Sequence, residues 1–95
     1  MAKHHKAAES KAKNHAVSLK APGAKAVAVT GNFCGWVLEG HPLKHETNGL
    51  WKTTLALVPG HYEYRFLVDG EWHDDPACSE RVPNPFGSQN CVFRV

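Results

Sequence analysis

A tryptophan and an arginine that are predicted to share one face of a short hairpin are the residues of this sequence that most directly suggest a binding site. The run His61–Val68 alternates in residue type, and Asp69-Gly70 after it predicts a two-residue turn. Directly opposed residues of an antiparallel pair share a face, so Trp72 is expected opposite Leu67, with Arg65 diagonally beside it. This geometry predicts an indole and a guanidinium on the same face of the sheet.

The opposite face of the same strand is the expected core, because it is formed by four apolar or aromatic residues: Tyr62, Tyr64, Phe66 and Val68. Trp72 and Arg65 are therefore predicted to face water. An exposed indole beside hydrogen-bonding groups suits a sugar ring, since the indole covers the apolar C–H face and the polar groups reach the hydroxyls. The alternative is that Trp72 folds over the edge of the sheet and caps it.

The sequence gives little support to catalysis or to metal binding. Three of the seven histidines fall in the first fifteen residues, and the other four show no HxH, HExxH or Cys/His spacing. A glycosidase needs two carboxylates held across the scissile bond, whereas the acidic residues here are scattered. No motif places a base near Cys34, and Asp75 before Pro76 is typical of a turn. We predict a chain that is not an enzyme and that has no metal or cofactor.

Short alternating runs separated by turn signals supply the elements that must position these residues. The predicted strands lie near residues 17–19, 27–33, 51–57, 61–68, 71–73 and 91–95. Turns are expected at Pro22-Gly23, Asn48-Gly49, Pro59-Gly60 and Asp69-Gly70. Residues 35–42 are expected to form a loop or ragged strand, residues 74–89 a long surface loop, and Trp51 is expected to pack on a sheet face. The pattern predicts an all-β, antiparallel sandwich.

The charge and hydropathy of the sequence argue against nucleic acid and membrane as partners. The chain has 95 residues and a net charge of +2, and four of its basic residues lie in the first thirteen positions. We expect residues 1–15 to be a flexible Lys/Ala/His tail on a nearly neutral domain, which argues against nucleic acid as a partner. No apolar run could span a bilayer, and no membrane partner is predicted.

The three cysteines have no metal-like spacing, so a reduced, cytoplasmic setting is expected. One pair could form a disulfide if the chain were secreted.

Several ordered motifs resemble carbohydrate-binding module family 48, which includes the glycogen-binding domain of the AMP-activated protein kinase β subunit. Residues 27–36, VAVTGNFCGW, resemble its V-x-V-x-G-x-F-x-x-W signature. Residues 59–76, PGHYEYRFLVDGEWHDDP, resemble its P-G-x-Y-x-Y-K-F-x-V-D-G-x-W-x-x-D-P block. Leu43 with the stretch 49–51 and the closing stretch 90–92 match further segments. The resemblance spans residues 16–95 and implies an immunoglobulin-like β-sandwich of the early-set type.

The resemblance also implies a set of carbohydrate-binding residues. Two tryptophans of the family stack on glucose units, and they correspond to Trp36 and Trp72. Arg65 stands where the family has a lysine that bonds sugar hydroxyls. The late loop of the family presents a leucine, a Thr or Ser, and an Asn to the sugar. The corresponding residues in this sequence are Phe86, Ser88 and Asn90. Phe in place of Leu could stack on the sugar rather than insert into it, or be buried.

These observations together predict a non-catalytic module that binds α-1,4-glucan, such as glycogen or a starch-like oligosaccharide. Such a module would target or regulate a glucan-metabolising enzyme or a kinase. The alternative function is a structural or docking sandwich of a glycoside hydrolase family 13 enzyme or a kinase complex, with little or no sugar binding. Retention of Trp36, Trp72 and Asn90 favours binding.

Overall fold

A computed structural model describes residues 12–95. Over this range the chain forms strands, turns and loops and no helix, so it contains no helical segment that could cross a membrane. The strands of the described range are β1 (Lys13–Lys20), β2 (Val27–Gly31), β3 (His41–Pro42), β4 (Lys44–His45), β5 (Leu50–Leu57), β6 (His61–Val68), β7 (Glu71–His73), β8 (Arg81–Pro83) and β9 (Gln89–Arg94). In β1 the buried residues Val17 and Leu19 alternate with exposed residues, as the period of two in the sequence predicts.

The strands form two antiparallel sheets. Sheet 1 has the order β1-β5-β4, and sheet 2 has the order β3-β2-β6-β9-β8, with β7 paired to β6. Buried side chains from both sheets fill the space between them, chiefly Val17, Leu19, Trp51 and Leu55 from sheet 1 and Val27, Val29, Tyr64, Phe66, Cys91 and Phe93 from sheet 2. The prediction of an all-β sandwich is confirmed, whereas the finer early-set assignment stays a prediction.

The hairpin between β6 and β7 has the predicted register. Asp69 and Gly70 have φ values of 51° and 83°, which the two central residues of a type I′ turn require. Leu67 is opposite Trp72 as predicted. The Asp69 carboxylate accepts hydrogen bonds from the backbone N–H groups of Lys25 and Ala26, at 2.8 and 2.9 Å. The turn is therefore attached to the chain segment that leads into β2.

Trp51 and Asp75 have the structural roles that the sequence predicted. The Trp51 side chain is buried in the core, and its Nε1–H donates to the carbonyl oxygen of Ala21. One carboxylate oxygen of Asp75 accepts from the Ala77 N–H, and the other accepts from the Tyr64 hydroxyl. Asp75 thus fixes the loop after β7 to the core side of β6.

The boundary of the predicted N-terminal tail differs from the structure. Strand β1 begins at Lys13, and residues 13–15 pair with Leu55–Leu57 of β5. The ring of His15 lies 4.4 Å from that of Phe93, centroid to centroid. Backbone pairing and this ring contact place three residues of the expected tail in the sheet. Residues 1–11 of that tail lie outside the described residues.

The segment predicted as one long loop, residues 74–89, contains a strand. Residues 81–83 form β8, which pairs with β9. The sequence obscures this strand because it is short and ends in Pro83. A proline cannot donate to a β-ladder and is tolerated in an edge strand such as β8.

The cysteines differ from the expected reduced state. Cys78 and Cys91 form a disulfide with a Cα–Cα distance of 6.1 Å, and Cys34 is the free cysteine of the described range. Cys91 lies in β9 opposite Tyr64, and the Tyr64–Asp75 hydrogen bond brings the loop that carries Cys78 to the same place. The expectation of a cytoplasmic setting therefore loses the support of the cysteine content.

Candidate functional site

The outer face of sheet 2 has an open groove at the point where β6 changes its partner. Along one edge, β6 pairs with β9 at residues 61–64 and with β7 at residues 66–68, while β2 occupies the other edge. Arg65 lies between the part of β6 that pairs with β9 and the part that pairs with β7. The groove has a volume of about 660 Å³ and is lined by Trp36, Glu63, Arg65, Trp72, Asn84, Pro85, Phe86 and Asn90.

Five of the six predicted binding residues line this groove. The exception is Ser88, which lies in the turn between β8 and β9 and donates its backbone N–H to the side chain of Asn84. Glu63, Asn84 and Pro85 were not predicted. Glu63 could have been found, because it alternates onto the same face as Arg65. A second depression, of about 530 Å³ near residues 19–24, contains no predicted site residue.

Trp72 and Arg65 form one wall of the groove. The Trp72 side chain is on the outer face and 44% exposed, so it does not belong to the core. The guanidinium carbon of Arg65 lies 5.4 Å from the centre of the Trp72 ring, within the range of a cation–π contact. Arg65 donates through Nε to Oδ1 of Asp74 at 3.1 Å, and its Nη2 lies 3.0 Å from the same oxygen in an ion pair. This ion pair fixes the guanidinium plane and leaves other N–H groups of Arg65 for a ligand.

Trp36 has an unusual backbone conformation. It follows Gly35 in the loop between β2 and β3, and its φ of 58° lies in the left-handed region. Its N–H donates to the carbonyl oxygen of Gly31 at 2.9 Å, which closes a tight turn. A non-glycine residue in this region costs roughly 1–2 kcal/mol, and such strain is concentrated at functional sites. The turn holds the half-buried Trp36 side chain at the groove.

The loop with Trp36 also covers part of sheet 2. The Thr30 hydroxyl donates to the carbonyl oxygen of Val37 at 2.7 Å, and Gly40 packs against Ala28. Ala28 is the neighbour of Leu67 across β2 and β6. Leu67 is therefore buried although it faces outward.

Asn90 is a buried amide within a short chain of polar contacts. Its Nδ2 donates to Oε1 of Glu63 at 3.0 Å, and its Oδ1 accepts from Nδ2 of Asn84 at 3.1 Å. An Asn amide has two donor hydrogens and two acceptor lone pairs, so one of each is left over. Asn90 can still donate to a ligand, but its position is fixed by Glu63 and Asn84.

Phe86 lies at the tip of the turn between β8 and β9 and is 90% exposed. The expected alternative in which this ring is buried is therefore wrong. Oδ1 of Asn84 accepts hydrogen bonds from the N–H groups of Phe86 and Ser88, at 3.0 and 3.1 Å. A large apolar side chain held in water by an ordered turn is typical of a binding surface.

The Tyr64 hydroxyl lies under the groove and remains neutral. Burial, together with the hydrogen bond to Asp75, raises the pKa of Tyr64 far above its ordinary value. Tyr64 therefore acts as a hydrogen-bond donor that holds the loop with Asp74 and Asp75. Its role is structural.

The side chains that line the groove are suited to binding a ligand non-covalently. Two indoles and one phenyl ring offer apolar surfaces, and Arg65, Glu63 and Asn90 offer donors and acceptors. Within residues 12–95 no group of three or more His, Cys, Asp or Glu side chains is placed to hold a metal ion. An arrangement of aromatic faces with polar groups at their edges can bind a sugar ring.

A known protein family matches this chain over most of its length. Residues 16–95 match the family model described as the glycogen recognition site of AMP-activated protein kinase. The chain is 34% identical over 73 residues to the 5'-AMP-activated protein kinase subunit beta-1 of Sus scrofa, a match that covers 77% of this chain and 57% of the relative.

Two further relatives match over shorter stretches. The chloroplastic protein PTST homolog 2 of Arabidopsis thaliana is 43% identical over 53 residues, or 56% of this chain and 10% of the relative. A 1,4-alpha-glucan branching enzyme of Xanthomonas campestris is 35% identical over 48 residues, or 50% of this chain and 7% of the enzyme. The chain thus spans only a small part of these two relatives.

Proposed function

Because this chain belongs to the family of the glycogen recognition site of AMP-activated protein kinase, we propose that it binds α-1,4-glucan at the groove on sheet 2. The family is a recognition module, and the chain is not an enzyme. One observation carries the proposal: two tryptophans that are distant in sequence lie at one groove together with a fixed guanidinium and a fixed amide.

In this proposal Trp36 and Trp72 stack on successive glucose units. Burying an aromatic side chain stabilises a complex by roughly 1.5–3 kcal/mol, so the two rings supply most of the affinity. Arg65 and Asn90 donate to sugar hydroxyls and fix the orientation of the bound glucan. Phe86 adds a third apolar contact at the tip of the β8–β9 turn, and the Ser88 hydroxyl donates from the same turn.

The proposed affinity for one short oligosaccharide is modest, because much of the sugar stays in water. A polymer presents many equivalent sites, so attachment to a glucan particle is much stronger than attachment to one oligosaccharide. A module with these properties would keep a partner protein near the polymer.

The test of this function is a titration monitored by tryptophan fluorescence. Maltoheptaose and β-cyclodextrin are expected to give a saturable change, because both are α-1,4-linked, whereas cellohexaose is expected to give none. No change with the α-linked sugars would contradict glucan binding and would favour a docking module.

We further propose that the module brings glucan to a catalytic domain or a kinase subunit. The names of the relatives support this, since they include a protein kinase subunit and a glucan branching enzyme. A cytoplasmic setting is part of the same proposal, while a chloroplast setting is the alternative that the name of the Arabidopsis relative raises.

A further inference from the structure

Glu63 occupies the floor of the groove and has no role in the function proposed so far. It lies on β6 two residues before Arg65, on the same outer face, and is half-buried. Its Oε1 accepts the hydrogen bond from Nδ2 of Asn90. Within residues 12–95, Glu63 forms no ion pair.

The second carboxylate oxygen of Glu63 is free to accept a hydrogen bond. Oε2 has no hydrogen-bond partner in the described part of the chain, and no side-chain polar atom there is both buried and unpaired. Oε2 is therefore not fully buried, and Glu63 is one of the residues that line the groove. The contact from Asn90 also restricts the carboxylate to one orientation.

Glu63 differs from Arg65 in having no oppositely charged partner among the described residues. Arg65 pairs with Asp74 at 3.0 Å, and Arg81 lies 3.8 Å from the other oxygen of Asp74. Arg81 also donates to the backbone carbonyl of Asp75. The guanidinium of Arg65 is thus neutralised by a contacting carboxylate, whereas the carboxylate of Glu63 has no contacting cation in the described part of the chain.

We propose that Glu63 accepts hydrogen bonds from glucan hydroxyls and makes the groove select neutral glucan over glucan that carries phosphate esters. The proposal rests on the function proposed above and assigns a specificity-determining residue to it. A hydroxyl donates to a carboxylate in a charge-assisted hydrogen bond. A phosphate ester carries about −1.5 to −2 charges and replaces the hydroxyl hydrogen, so Glu63 repels it.

The experiment compares Glu63→Gln with the wild-type chain by calorimetric titration. The probes are maltoheptaose and its monoesters phosphorylated at the 3- or the 6-hydroxyl. Glutamine keeps the shape of the side chain, but if its carbonyl accepts from Asn90 its amide presents donors to the groove. Glu39→Gln is the matched control, because Glu39 is exposed and does not line the groove.

The wild-type chain is expected to prefer maltoheptaose over at least one monoester by about tenfold or more. Glu63→Gln is expected to weaken maltoheptaose binding about fivefold and to reduce that preference to about twofold. Glu63→Asp, which keeps the charge, is expected to retain the preference. Glu39→Gln is expected to match the wild type, and thermal unfolding checks that each variant is folded.

Two results overturn the inference, and they are distinguishable. If the wild-type chain binds maltoheptaose but the preference of Glu63→Gln equals that of the wild type for both monoesters, the role of Glu63 is refuted and glucan binding stands. If the wild-type chain binds none of the three sugars, the proposed function fails and this inference fails with it.

Discussion

At the scale of single residues, Trp72 and Trp51 are a matched pair for separating binding from folding. Trp72 is 44% exposed at the groove, whereas Trp51 is 7% exposed in the core. Trp72→Ala is expected to weaken maltoheptaose binding by about 10- to 100-fold, since about 1.4 kcal/mol corresponds to a factor of ten. The midpoint of urea unfolding is expected to change little.

Trp51→Ala is expected to behave in the opposite way. Replacing a buried tryptophan by alanine destabilises a protein by about 3–5 kcal/mol, so this variant is expected to lower the free energy of unfolding measured in urea. A Trp72→Ala variant that unfolds as readily as Trp51→Ala would contradict the placement of Trp72 outside the core.

Trp36 allows the strain of its backbone to be separated from the contribution of its ring. With a φ of 58°, Trp36→Gly removes the ring and also relieves the left-handed conformation, whereas Trp36→Ala removes the ring alone. Both variants are expected to lose maltoheptaose binding. The glycine variant is expected to be more stable to urea than the alanine variant by about 1 kcal/mol. Equal stability of the two variants would show that the turn carries no strain.

At the scale of elements, the turn between β8 and β9 depends on Asn84. Its Oδ1 accepts hydrogen bonds from the N–H groups of Phe86 and Ser88, and its Nδ2 donates to Oδ1 of Asn90. Asn84→Ala is expected to destabilise the turn by about 1 kcal/mol per lost hydrogen bond and to weaken binding. Amide hydrogen exchange at residues 86–88 measures the first effect, and the fluorescence titration measures the second.

Asn84→Asp provides the control for this element. The aspartate keeps an acceptor for the two backbone N–H groups but loses the donor to Asn90. Exchange at residues 86–88 is expected to stay slow, while the loss of the Asn90 contact is expected to weaken binding. If both variants leave binding at the wild-type level, Asn84 does not position the site.

Two elements show what the sequence could and could not predict, namely the β6–β7 hairpin and strand β8. The hairpin of β6 and β7 was predictable to the register, because Asp69-Gly70 specifies a two-residue turn and the turn specifies that Trp72 opposes Leu67. Strand β8 was not predictable, since three residues that end in Pro83 give no alternating pattern. Periodicity is informative only where a strand is long enough to repeat.

Five of the residues that line the groove were named from the sequence, but the contacts between the lining residues were not. Alternation placed Arg65 and Trp72 on the outer face, and the family resemblance added Trp36, Phe86 and Asn90, all of which line the groove. That Asn90 bonds Glu63 rather than pointing freely into the groove depends on side-chain packing between β6 and β9. Such long-range contacts are not encoded in local patterns.

At the scale of the whole molecule, the disulfide between Cys78 and Cys91 is expected to support stability. The two residues are separated by 13 positions, and closing a loop of about 15 residues stabilises a protein by about 3 kcal/mol in the chain-entropy account. Urea unfolding with and without a thiol reductant is therefore expected to differ by about this free energy. The Cys78→Ser, Cys91→Ala double variant is expected to unfold like the reduced protein and to be insensitive to the reductant. Equal unfolding midpoints under both conditions would contradict a stabilising disulfide.

Every residue that lines the groove belongs to sheet 2 or to a loop between its strands, and none comes from β1, β4 or β5. The outer surface of sheet 1 can therefore be changed by substitution without altering any residue that lines the groove. The two exterior faces of the fold are thus independent targets for mutagenesis.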